Sequence, residues 1–238
     1  HQERLHHIDF KSAVFTNFSQ DHLDYHKNMK AYLNAKLILF RKILRKKTKI
    51  ISDKDILPFK ILKKISKKRG LKLVDINNEF LKVKNQLPAF PDFKKKNLAM
   101  AIYAAKICGL KDHLIYGKIK KINDVNGRLE LVKKFPNKVK VFLDYAHTPD
   151  ALLKTLECLK NENKKNISIV FGCGGDRDKK KRPLMARIAN KYCSKIYITD
   201  DNPRNEHPQK IRQALLKYIP RKKSFNMGNR LNAIQQSI

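Results

Sequence analysis

Four short stretches bring together side chains able to hold a charge, a metal or a proton. "DDNPR" (Asp200–Arg204) offers carboxylates to an ammonium group, and an asparagine and a guanidinium to a carboxylate. Together they could recognise a zwitterion such as the free end of an amino acid, although an Asx-Pro turn accounts for the same residues. "GCGGDRDKKKRP" (Gly172–Pro183) sets three glycines beside Arg177, which Asp176 and Asp178 flank. Glycines let backbone N–H groups approach an anion ahead of a helix, and a guanidinium held by carboxylates can take a ligand carboxylate bidentately. A tight strand–helix turn followed by a solvated lysine run is the plainer reading. "DYAHTPD" (Asp144–Asp150) puts Asp144 three residues before His147. That pair could orient a group, bind a metal or a nucleotide, or serve as a cap and a surface histidine. In "TNFSQDHLDYH" (Thr16–His26), Asp21, His22, Asp24 and His26 could hold a divalent cation. Lys36, beside the aliphatic run of "YLNAKLILF", reads on its own as a lysine snorkelling to water.

These clusters need elements to position them. "SAVFTNF" and "KTKIIS" read as short strands, and Met29–Leu44 as a helix by length and propensity. "PFKILKKISKKRG" reads as a basic amphipathic helix capped by Gly70. "QLPAFPDF" reads as a loop leading into the apolar helix "NLAMAIYAAKICGL". The Asn-Gly of "NDVNGRLE" marks a turn and the expected domain boundary. Beyond it the pattern alternates. The strands "KVKVFLDYA", "NISIVFGC", "KIYITD" and "KSFNM" are separated by the helices "PDALLKTLECLKN", "PLMARIANKYC" and "PQKIRQALLKYI". Near-continuous apolar strands in such a rhythm predict an α/β fold with a parallel sheet covered on both faces. Ligands bind such sheets at the carboxyl ends of the strands, where the polar clusters fall.

Composition narrows the classes. With 238 residues and 42% hydrophobic content, the chain can build one large core or two small ones. No apolar run is long enough to span a bilayer, and "HQERLHHIDF" lacks both a Met and the pattern of a signal peptide. The chain therefore reads as a piece of a longer protein. Four cysteines without C-x-x-C spacing suit a reducing compartment and buried thiols. Fifty-four Lys and Arg against 21 Asp and Glu give a net charge of +33, a field that attracts polyanions. The lysines are scattered, without interleaved aromatics or a P-loop, so nucleic acid is expected to bind through charge alone.

Taken together and in order, "TNFSQDHLDYH…AYLNAKLILF", "GRLE", "DYAHTPDAL", "FGCGGDRDKKKRPLM" and "TDDNPRNEHP" resemble the Mur ligase family over nearly the whole chain. The resemblance implies part of the central ATPase domain over residues 1–126. A truncated Rossmann-like C-terminal domain would follow over residues 127–238. The family's UDP-binding domain, P-loop and late G-x-G-H-E segment would lie outside, and these residues alone would be inactive. It further implies a cytoplasmic, monomeric, ATP- and Mg2+-dependent ligase of peptidoglycan synthesis, acting on a UDP-muramoyl-dipeptide and meso-diaminopimelate through an acyl phosphate. His22 would bind magnesium, and Lys36 would be carbamylated and support a second metal. Gln2 and Arg4 would contact the muramoyl-dipeptide. Asn97, Arg128, Asp144 and His147 would serve ATP, with Asp144 and His147 also close to the chemistry. Arg177, Asp201, Asn202, Pro203 and Arg204 would read diaminopimelate, whose second stereocentre carries a carboxylate and an ammonium. Asn202 can hydrogen-bond that carboxylate, where an aspartate would repel it. The competing expectations are a basic nucleic-acid-binding fragment and a Mur ligase of different amino-acid specificity.

Overall fold

The computed structural model describes residues 8–123, 125–162 and 166–238, so Gln2 and Arg4 lie outside the described residues. The chain runs β1 (Ser12–Phe15), α1 (Leu23–His26), α2 (Met29–Ile38), a π-helical turn (Leu39–Ile43), β2 (Lys49–Ser52), α3 (Phe59–Arg69), β3 (Lys72–Asp75), α4 (Asn77–Gln86), α5 (Asp92–Ile107) and α6 (Asp112–Lys118). It continues through β4 (Glu130–Lys134), β5 (Lys140–Leu143), α7 (Pro149–Glu162), β6 (Ser168–Phe171), α8 (Lys181–Tyr192), β7 (Lys195–Ile198), α9 (Pro208–Leu216), β8 (Ser224–Asn226) and α10 (Arg230–Ser237). Contacts divide it into two units, His1–Ser19 with Lys30–Asn123, and Gln20–Met29 with Asp124–Ile238. Among the described residues no helix is long and apolar enough to cross a membrane.

In the first unit β1, β2 and β3 pair in parallel, in that order. Successive strand residues point to opposite faces, and the two isoleucines of β2 separate accordingly. Ile50 joins a core with Phe15, Leu37, Phe40 and Leu62, while Ile51 joins one with Ile76, Val83, Ala99 and Met100. Both are fully buried, each stabilising the unit by about 1.5–3 kcal/mol. Gly70 ends α3 with φ of 63°, in the left-handed cap conformation expected of it. The helix read over Met29–Leu44 passes into the π-helical turn at Leu39, where the Leu44 N–H reaches the Leu39 carbonyl at 3.1 Å and the turn widens. The helix read from "NLAMAIYAAKICGL" begins earlier, at Asp92, behind Pro91.

In the second unit β6, β7 and β8 form a parallel sheet in that order. Ile196 and Ile198 of β7 enter the core with Leu152 and Leu156 of α7, Met185 of α8 and Leu215 of α9. Tyr197, pointing the other way, donates its hydroxyl hydrogen to the Gln236 carbonyl of α10 at 3.0 Å, so both sheet faces are covered. The strand in "KVKVFLDYA" departs from expectation. β5 pairs antiparallel with β4 as a two-stranded ribbon rather than entering the parallel sheet. Its alternation of lysine and apolar residues suits a ribbon wet on one side, and the turn closes with the Phe135 N–H on the Val139 carbonyl at 2.8 Å. The cysteines are also less uniform than expected. Cys173 and Cys193 are buried, and burial pushes their thiols up to about 11 and about 12. Cys108 is exposed and Cys158 half-buried.

Candidate functional site

The loops leaving β6 and β7 dock against each other, and glycine makes this possible. A Cβ at Gly172 would stand 2.4 Å from the Thr199 carbonyl oxygen, and one at Gly175 would stand 1.8 Å from that of Pro203. No side chain fits either gap. Docked, the Gly175 N–H donates to the Asn202 carbonyl at 2.9 Å, and Arg204 Nη1 donates to the Gly175 carbonyl at 2.7 Å. The Asn205 N–H reaches Asp176 Oδ2 at 3.0 Å. Asn202 Oδ1 accepts the Arg204 N–H at 3.3 Å, so the Asx-Pro turn is present. The two carboxylates of "DDNPR" have separate partners: Asp200 pairs with Arg212, whereas Asp201 Oδ1 accepts the Asn202 N–H at 2.8 Å.

Arg177 is exposed and reaches Asp24 Oδ2 at 3.9 Å, instead of being held by the flanking Asp176 and Asp178 as the sequence suggested. Asp178 is buried and serves the backbone. Its Oδ1 accepts the Lys180 N–H at 2.9 Å ahead of α8, and its Oδ2 accepts Gln20 Nε2 at 2.9 Å. A cavity of about 390 Å3 opens here, lined by Leu23, Asp24, Lys27 and Asp176 to Lys180. Both charge signs line it, which suits a zwitterion of amino-acid size.

The second cluster forms around Asp144. Its Oδ2 accepts the Leu129 N–H at 2.6 Å, and its Oδ1 accepts the Ala146 N–H at 2.8 Å and the Thr155 hydroxyl at 3.2 Å. Arg128, on the turn so fixed, lies over the Tyr145 ring at 4.7 Å, and Tyr145 meets His147 edge-on at 5.0 Å. His147 Nε2 stands 3.5 Å from Asp21 Oδ2, which also lies 3.3 Å from His22 Nε2. One carboxylate oxygen thus faces two half-exposed imidazoles. His22, Arg128, Asp144 and His147 therefore come together in the second unit.

Lys36 and Asn97 belong to the first unit, on α2 and α5. Lys36 lines a 200 Å3 cavity with Thr16, Asn17 and Phe40, its Nζ 5.1 Å from the Tyr32 ring centroid and 5.9 Å from that of Phe15. Asn97 is exposed. Among the described residues no group of three or more His, Cys, Asp or Glu is arranged to hold a metal ion. The Asp21 carboxylate beside His22 is a donor that suits Mg2+, which keeps several waters and binds through one or two protein groups plus phosphate oxygens.

Sequence reasoning missed Asp21 as a bridge between two histidines, Tyr145 as the platform for Arg128, and Glu206 altogether. Glu206 accepts Arg182 Nη1 at 3.0 Å, Arg182 Nη2 at 2.8 Å and the Asp176 N–H at 2.7 Å. The Arg182 guanidinium holds the Glu206 carboxyl well below its usual range, at about 2. The one available signal was a lone acid two residues after Arg204 in "NPRNEHP".

The chain resembles known proteins over most of its length. The model of the Mur ligase middle domain matches residues 1–105, and that of the Mur ligase glutamate ligase domain matches residues 127–238. The chain is 36% identical, over 100% of its length and 54% of the relative's, to the UDP-N-acetylmuramoyl-L-alanyl-D-glutamate–2,6-diaminopimelate ligase of Rickettsia bellii (strain RML369-C). A solved structure of a ligase of that name superposes with a TM-score of 0.52 at 28% identity, covering 98% of this chain and 53% of that one. Mycobacterium tuberculosis folylpolyglutamate synthase, solved with ADP and AMPPCP, superposes with a TM-score of 0.75 at 16% identity, covering 97% and 57%. The chain spans about half the length of the curated relatives it matches.

Proposed function

Because this chain belongs to the Mur ligase family and carries its middle and C-terminal domains, we propose that it serves an ATP- and Mg2+-dependent ligase of peptidoglycan synthesis. That ligase joins meso-diaminopimelate to the D-glutamate of a UDP-muramoyl-dipeptide. The relatives matched over the whole chain bear the name of that reaction. The observation that carries the substrate is the docking of the Arg177 loop on Asp201–Arg204, held by the Arg204 bond to the Gly175 carbonyl.

In this reading ATP phosphorylates the glutamate side-chain carboxylate, the amine of diaminopimelate attacks the acyl phosphate, and phosphate leaves. His22 would hold a magnesium ion and a carbamylated Lys36 would support a second one, and such ions supply neutralisation of phosphoryl charge. Arg177 and Arg204 orient the amino acid by its distal carboxylate, Asn202 hydrogen-bonds that carboxylate, and Asp201 and Pro203 hold the turn. Arg128 and His147 receive the nucleotide over a backbone that Asp144 organises, and Asn97, in the first unit, is a nucleotide contact assigned from the family resemblance alone. Gln2 and Arg4 contact the muramoyl-dipeptide. The middle domain occupies residues 1–126 and the C-terminal domain residues 127–238, and the enzyme works as a cytoplasmic monomer.

Steady-state kinetics of the full-length enzyme test the reading. The value of kcat/KM for meso-diaminopimelate should exceed that for L-lysine by about a hundredfold or more, because lysine leaves two guanidinium groups without their carboxylate. Equal or better use of lysine overturns it.

A further inference from the structure

We propose that Glu206 and Arg182 are positioning residues whose ion pair pins the loop after β6 to the loop after β7, and so sets where Arg177 and Arg204 stand relative to the amino-acid substrate. The inference rests on the ligase reading above and assigns a function to two residues outside the substrate-reading segment itself. Arg182 begins α8 with its side chain only 6% exposed and takes Glu206 in a two-pronged grip at 3.0 and 2.8 Å. The same guanidinium donates to the Gly174 carbonyl at 3.3 Å. Glu206, reached across 24 positions of sequence, also accepts the Asp176 N–H at 2.7 Å and faces Lys179 at 3.4 Å. Every one of these partners lies in the first loop or at the start of α8, and Glu206 lies two residues beyond Arg204.

Geometry explains why a pin is needed. Asp176 and Arg204 both sit at left-handed φ, 49° and 48°, a conformation that non-glycine residues hold only when neighbours impose it. Asp176 is imposed on from both sides, by the Glu206 carboxylate at its N–H and by the Asn205 N–H at its Oδ2. Arg177 follows it directly. Displacing Glu206 therefore re-aims Arg177 through Asp176 and loosens Arg204 through the shared turn. Neither Glu206 nor Arg182 belongs to the apolar core of α7, α8, α9 and β7.

The test is steady-state kinetics of the full-length enzyme with Glu206→Gln and Glu206→Asp. Glu206→Gln should raise the KM for meso-diaminopimelate about tenfold, leave the KM for ATP within about twofold, and narrow the preference over L-lysine. Glu206→Asp, which keeps the charge, should recover part of the loss. Should Glu206→Gln fail to fold, the double variant Arg182→Met/Glu206→Leu removes both charges and takes its place. It should regain wild-type stability while keeping the raised KM. An unchanged KM for diaminopimelate in a folded variant, with the wild type active on that substrate, overturns the pin and leaves the ligase reading intact. So does a rise in both KM values together with a fall in Tm, the mark of general loosening. A wild type that does not use diaminopimelate overturns the ligase reading and the pin with it.

Discussion

Asp144, an expected site residue, also organises the backbone around it. Both of its carboxylate oxygens accept hydrogen bonds, from Leu129 and Ala146 N–H groups and from Thr155. Leu129 is buried and holds φ of 52°, a left-handed conformation that a leucine does not keep unaided. Replacing Asp144 by alanine leaves its N–H without that acceptor, at a cost of about 1–3 kcal/mol. Urea denaturation of the Asp144→Ala variant should show this loss. A variant that keeps wild-type stability but loses ligase activity in the full-length enzyme would instead make Asp144 a group that touches ligand. The sequence made the types of these residues visible but not their partners. Asp144 and His147 stand out as a pair three apart, whereas Asp21, which approaches His147 to 3.5 Å, is 126 positions away. Separations of that size leave no local pattern, and the Glu206–Arg182 pair escaped for the same reason.

At the scale of elements, the glycines after β6 determine how closely two loops pack. Gly175→Ala would drive a methyl group to 1.8 Å from the Pro203 carbonyl oxygen, so the "DDNPR" loop must shift. Overpacking of this kind costs about 1–3 kcal/mol, readable as a lower urea midpoint. Gly228→Ala is the control, since its nearest atom, Asp200 Oδ2, would lie 3.4 Å away, in ordinary contact. Equal effects of the two substitutions would contradict the packing argument. The alternation from α7 to β8 was legible because short apolar runs are bounded by Gly, Pro and charged residues, and the central run, that of β7, is buried. β5 was misread because "KVKVF" looks like any strand, and the partner that makes it a ribbon, β4, was not recognised. α4 and α6 also went unread. Both are short, and α4 owes its place to the burial of Val83 and Glu79 in contact with α5. The widened turn after α2 has no sequence signature: its residues are ordinary helix formers, and Phe40 and Leu44 enter the same core that an unbroken helix would reach.

For the whole molecule the dominant quantity is charge, +33 over 238 residues. Several acids are engaged in ion pairs with buried or half-buried cations: Asp92 with Lys95, Asp53 with Lys96, Glu79 with Lys106, and Glu206 with Arg182. Much of the remaining lysine is solvated, as on α3, where Lys60, Lys63, Lys64, Lys67 and Lys68 are all exposed around the buried Leu62. A surface of this composition binds any polyanion by releasing its counterions, a gain that disappears as salt rises and that carries no sequence information. Fluorescence anisotropy with short DNA duplexes should therefore show binding at about 50 mM salt that weakens at least tenfold by about 200 mM. Duplexes of unrelated sequence should behave alike, because phosphate contacts from scattered lysines carry no sequence information. Sequence-selective binding that survives 200 mM salt would reverse this ordering and make nucleic acid recognition a function in its own right. Loss of binding for all sequences together would leave the lysines as solvated positions.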